Sequence, residues 1–135
     1  MIDRTDISYT QYTYKYPTPD GTVYVVIAEE PISEKPTHIF IHLGKSGTLT
    51  RAWSEALASI INLAISGGAR LEDIANGISN ITTDRVAHEG RINVRSGPEG
   101  IALSFLHYSQ MKAKQTEILL KVQRRKGLRW NSGGL

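Results

Sequence analysis

The chain has 135 residues, 40% of them hydrophobic and 21% charged, enough for one domain to bury a core of its own. It contains no cysteine, which excludes disulfides, thiolate metal sites and thiol catalysis; this fits a reducing compartment, and the cytoplasm is the expected location. The net charge of +3 is unevenly spread: between Lys112 and Arg129 seven basic residues stand against one acid, Glu117, so the basic character belongs to the tail.

Residues 1–10 show no periodicity and are expected to form an arm; MIDRTDISYT carries no signal-peptide pattern, and no run nears the roughly 20 apolar residues of a membrane span. Tyr12, Tyr14 and Tyr16 alternate with Thr13 and Lys15, the period of a half-exposed strand. Pro17 to Gly21 is a turn, and TVYVVIAE from Thr22 to Glu29 is the strongest strand signal in the chain. After a second turn from Pro31 to Pro36, a third strand runs from His38 to Leu43. The links are too short for parallel crossovers, so an antiparallel meander is expected. In the third strand Ile39, Ile41 and Leu43 share the face that should meet helices. His38, Phe40 and His42 share the other, which should be exposed or covered by a second copy.

Gly44-Lys-Ser-Gly47 turns the chain into a helix capped by Thr48 and ended by Gly67-Gly68. Its apolar residues Ala52, Trp53, Ala56, Leu57, Ile60, Ile61, Ala64 and Ile65 recur at helical spacing, with Arg51, Ser54, Glu55 and Asn62 elsewhere. A short helix from Leu71 to Ser79 carries Glu72 and Asp73 in its first turn. Asn80 to Arg95 reads as loop with a short strand at Ile92–Val94. Ser96-Gly-Pro-Glu99 is a capping-box start for a last helix, with Ile101, Phe105 and Tyr108 on one stripe and a continuation toward Lys126. The expected class is α+β: a three-stranded antiparallel sheet packed on two main helices over residues 1–110, then a basic helical extension over 111–135, self-associating through surplus apolar surface.

HLGKSGT between strand and helix invites a nucleotide reading, but the Walker pattern needs glycine where Ile39 stands, and no magnesium-binding aspartate follows a second strand. Two readings remain. Gly44 and Gly47 let backbone approach a phosphate at a helix start, with Lys45 adding charge and Ser46 a hydroxyl; or the glycines serve only the turn. Arg95, at the start of the last helix, could assist. No metal or other cofactor is expected. His38 and His42 lie about 13 Å apart along a strand, His88 and His107 fall on other elements, and neither a serine–histidine pair nor a carboxylate pair stands out for catalysis.

The stretch from Asp20 to Ile81, with its VYVVI strand, IFIHLGKSG turn and EALASII helix, resembles the TSCPD-type domain at the C-terminal end of adenosylcobalamin-dependent ribonucleotide reductases. INVRSGPEGIA, within Arg91 to Ala102, is similar to the family's closing segment, so the resemblance covers about residues 20–106. It implies a fold and a link to nucleotide metabolism. The family's namesake cysteines are missing, and ITTDRVAHEG from Ile81 to Gly90 stands in their place, so metal or electron chemistry of that motif is not carried over.

These observations lead to a non-catalytic module that binds a phosphate-bearing small ligand, a nucleotide or nucleotide-derived signal, through Gly44, Lys45, Ser46, Gly47 and Arg95, as a phage-type sequestering protein would. The alternative is an interaction protein whose tail residues Lys121, Arg124, Arg125, Lys126 and Arg129 contact nucleic acid or an acidic protein, with Trp130 stacking on a base. An accessory role to a ribonucleotide reductase is a further alternative.

Overall fold

Strands β1 (Thr10–Thr18) and β2 (Gly21–Glu29) pair antiparallel around a two-residue turn, Pro19-Asp20, in a computed structural model that describes residues 9–44 and 47–126. Gly21 takes φ +112°, and Thr18 Oγ1 closes the turn by donating to Gly21 O (2.6 Å) and accepting from Asp20 N–H (3.1 Å). Strand β3 (Pro36–His42) pairs antiparallel with β2, giving the order β1-β2-β3. In the preceding turn Glu30 accepts from Ile32 and Ser33 N–H; the Ser33 hydroxyl first, then these N–H groups, hold its carboxyl below the usual range.

The period of two sets the sheet's faces as the sequence leads one to expect. Tyr16, Val23, Val25, Ile27, Ile39, Ile41 and Leu43 are buried on one side. Lys15, Tyr24, His38, Phe40 and His42 are exposed on the other. Helix α1 (Leu49–Ser66) follows the Gly44–Gly47 turn, with Thr48 accepting from Arg51 N–H at its start and Gly67 at its end. Helix α2 (Leu71–Ile78) packs Leu71 and Ala75 inward against the last helix. A small antiparallel hairpin, β4 (Ala87–Glu89) and β5 (Ile92–Val94), gives the expected short strand a partner.

Helix α3 (Gly97–Arg125) is continuous over 29 residues and covers β1 and β2 with Ile101, Ala102, Phe105 and Tyr108. Its cap differs slightly from the capping box. Ser96 Oγ accepts from Glu99 N–H (3.0 Å), but Glu99 Oε1 reaches back to Arg95 N–H (3.0 Å), and Ser96 also donates to Ile81 O. Gly100 is required where α3 crosses the hairpin, since a Cβ there would stand 2.9 Å from Thr18 Cγ2 and 3.0 Å from Val23 Cγ1.

The expected core stripe of α1 needs correction. Trp53 and Ile60 are exposed, Ala52 and Ala56 as well, whereas Ser54 is buried and Asn62 half-buried. The reason is docking. Helix α1 lies along β3, and Asn62 grips that strand's free edge: its Nδ2 donates to Ile39 O (2.9 Å) and its Oδ1 accepts from Ile39 N–H (2.7 Å). Ser54 Oγ donates to Leu43 O (3.3 Å) in the same manner. Polar side chains on α1 finish an edge strand, which turns part of the helix's apolar surface away from the core.

Candidate functional site

Glycines stand at both ends of the link between β3 and α1. Gly44 (φ +81°) and Gly47 (φ +82°) adopt the left-handed conformation that favours glycine, and both are exposed. Gly44 is doubly constrained, because a Cβ there would stand 3.1 Å from both Thr48 Oγ1 and Thr50 Cβ. Lys45 and Ser46 lie outside the described residues. Helix α1 has no acidic residue in its first turn, whereas α2 carries Glu72 and Asp73 there and α3 carries Glu99. No acid of its own first turn therefore offsets its dipole; Glu55, a turn further on, pairs with Arg51 at 2.7 Å.

The start of α3 abuts this region. A Cβ on Gly97 would stand 2.7 Å from Leu43 Cδ2 and 3.6 Å from Asp20 Oδ2. A cleft of about 180 Å³ opens between the first turns of α1 and α3, lined by Leu43, Thr50, Trp53, Leu57 and Ile101, with Asp20 at its rim among them. Its walls are apolar and Asp20 supplies a carboxylate. Arg95, expected to assist at the turn, has its guanidinium 3.4 Å from Glu99 across the α3 cap.

A second cavity, about 340 Å³, lies under the β2–β3 turn and is lined by Lys35, Pro36, Arg70, Leu71, Tyr108 and Ser109. Against it sits a polar cluster that reading the sequence missed. Glu29, 2% exposed, accepts from Tyr108 Oη and pairs with Lys112 Nζ at 3.0 Å. Burial first, then the bond and charge of Glu29, raise the Tyr108 hydroxyl far above its usual range. Burial works against the Lys112 ammonium, but the hydrogen bond and charge of Glu29 outweigh it and the net shift is upward. The pattern did carry a signal for this cluster. Glu29 continues the inward series Val23, Val25, Ile27, and Lys112 continues the α3 stripe Ile101, Phe105, Tyr108.

Of the tail residues, Lys121 pairs with Glu117 at 3.1 Å, Arg124 and Arg125 are exposed in the last turn of α3, and Lys126 is its C-cap. Arg129 and Trp130 lie outside the described residues. The histidines are dispersed: His107 Nδ1 lies 3.2 Å from Tyr16 Oη, His88 Nδ1 lies 2.7 Å from Asn93 Oδ1, and His38 and His42 are exposed on β3. Among the described residues no cluster of three metal-ligating side chains forms, and no described helix is long and apolar enough to cross a membrane.

Sheet and helix order together define an α+β domain. The family model of the TSCPD domain matches residues 4–108, and the chain belongs to that family, a ribonucleotide-reductase-related domain. Comparison with curated proteins and with solved structures finds no match.

Proposed function

We propose that this TSCPD domain is a non-catalytic binding module for a phosphate-bearing small ligand, a nucleotide or nucleotide-derived signal. The observation that carries the reading is the pair of exposed left-handed glycines, Gly44 and Gly47, ahead of the one described helix without an acid in its first turn. The phosphate sits against the turn, with Lys45 and Ser46 as its side-chain partners. The apolar cleft beside it, about 180 Å³, is smaller than the roughly 300–1,000 Å³ of sites that enclose a whole small molecule. It takes one end of the ligand: Trp53 offers an aromatic wall for a base, and Asp20 an acceptor for an amino or hydroxyl group.

Calorimetric titration with inorganic phosphate and a panel of mono-, di- and cyclic nucleotides tests the reading. Binding of a nucleotide but not of phosphate alone is expected, with affinity lost in Lys45→Ala and reduced in Asp20→Ala. With Trp130→Phe leaving Trp53 as the sole tryptophan, the emission should change on binding. Absence of heat with every nucleotide, or unchanged affinity in Lys45→Ala, overturns the assignment. Loss in Arg70→Ala instead would move the site to the larger cavity.

The exposure of Lys121, Arg124, Arg125 and Lys126 on the distal part of α3 favours a second reading, contact with nucleic acid or an acidic protein. Such binding should weaken steeply with salt and be lost in a chain ending at Ala113.

A further inference from the structure

Docked on β3 through Ser54 and Asn62, helix α1 leaves a row of apolar residues facing outward. Leu49 is 75% exposed, Trp53 70%, Ile60 64% and Leu63 74%, with exposed Ala56 between them. Their spacing is four, three, four and three residues, the alternation that keeps a stripe straight along a helix paired with another. From these fractions the four large side chains present on the order of 600 Å², the upper end of what monomers leave exposed and most of the roughly 800 Å² each partner gives to a standard interface.

We propose that this stripe is a two-fold interface with a second copy of the chain, the two α1 helices running antiparallel and crossing at Ala56. Two features select a second copy over another partner. The row is nearly the same in both directions (large, large, small, large, large about Ala56), so reversal places Leu49 against Leu63 of the other copy and Trp53 against Ile60, as an isologous contact requires. The stripe and its flanks, Thr50, Ala52, Leu57, Ser59, Ala64 and Ser66, hold no charge, and the only two charged residues of α1, Arg51 and Glu55, pair with each other. Two copies therefore meet without like-charge repulsion, and small residues let the helices approach closely. The open sheet face also exposes Tyr24 and Phe40, but Lys15, His38 and His42 stud it, and self-pairing there brings like groups together. The pairing does not rest on the ligand reading. Pairing covers Trp53, which also lines the proposed ligand cleft, while the glycines lie beyond the paired stretch; titrating a monomeric Ile60→Glu or Leu63→Lys variant with nucleotide therefore tests the ligand reading apart from the pairing.

The test uses the full chain. Sedimentation and light scattering should give a pair, or a multiple of pairs, for the wild type, and Ile60→Glu and Leu63→Lys should each break the α1 contact and halve the mass while keeping the wild-type circular dichroism. Because the chain has no cysteine, Ala56→Cys introduces a single thiol on the two-fold axis, which mild oxidation should convert to a covalent dimer. Leu49→Cys, displaced by about 21 Å along the paired helices from its symmetry mate, should stay uncrosslinked. This readout needs no disruptive substitution and stands even if a charged variant misfolds. A monomeric wild type, a mass unchanged in both charged variants (which would point to the sheet face), or crosslinking of Leu49→Cys as ready as that of Ala56→Cys overturns the proposal.

Discussion

Glu29 shows how much one buried carboxylate can set. Its Oε2 takes both Tyr108 and Lys112, and Lys112 Nζ also lies 3.6 Å from Glu34 Oε2. Removing one partner of such a pair leaves the other charge desolvated without compensation. Lys112→Met should therefore destabilise the chain by about 1–3 kcal/mol, less than for a fully buried pair because the lysine is one-quarter exposed; urea unfolding measures it. The pH dependence follows from the direction of the shifts. Tyr108 and Lys112 are both raised in the folded state, so the stability they add is complete below their usual values of 10.0 and 10.5 and falls as pH climbs beyond them. Unfolding free energy should be level from neutral pH to about pH 9 and decline above about pH 10, and Tyr108→Phe should make that decline shallower. The glycines give a paired test by thermal melting. Gly77 on α2 has open space where a Cβ would go, and Gly77→Ala should stabilise by about 0.5–1 kcal/mol. Gly100→Ala, driven into Thr18 and Val23, should cost about 1–3 kcal/mol despite alanine's better helix propensity.

Among the secondary-structure elements, α1 marks the limit of what the sequence discloses. Strand periodicity, the glycine turns, the Thr48 and Ser96 caps and the Gly67 stop are local signals, and the structure places each where it is expected. Which side of α1 faces inward is not local. The apolar stripe is wider than the strip of β3 available to it, and two polar residues with unsatisfied strand groups to serve, Ser54 and Asn62, decided the rotation. The candidate site was legible to the same degree. The left-handed glycines were readable in GKSG, but the cleft with Asp20 and Trp53 depends on the end of β3 meeting the start of α3, a contact between residues more than fifty positions apart. The Asn62 grip is testable. Asn62→Ala leaves both backbone groups of Ile39 without their partner and should cost about 1–2 kcal/mol, the lower part of the range because the site is part-buried. Ser59→Ala, three residues away on the exposed side, should stay within about 0.5 kcal/mol. Faster aggregation of Asn62→Ala on heating would reflect an uncovered β3 edge.

The molecule as a whole has two mechanical parts joined by one helix. Helix α3 passes unbroken through residue 110, as the continuation toward Lys126 in the sequence leads one to expect. Its first half supplies the centre of the core, and its last inward anchors are Met111, packed against that core, and Lys112 on Glu29. Beyond them Ala113 to Leu119 are exposed, and Ile118, Leu119 and Val122 show apolar surface that the body does not cover. A helix of 29 residues is about 43 Å long, longer than the sheet it crosses, and among the described residues none beyond Met111 belongs to the hydrophobic core. A chain ending at Ala113 should therefore melt cooperatively within a few degrees of the full chain, lose helical signal in proportion to the dozen α3 residues removed, and keep the same mass state if α1 makes the pair. A large drop in melting temperature would mean that the distal helix packs on the body or across a second copy, and a halved mass would place the subunit contact on α3 instead of α1.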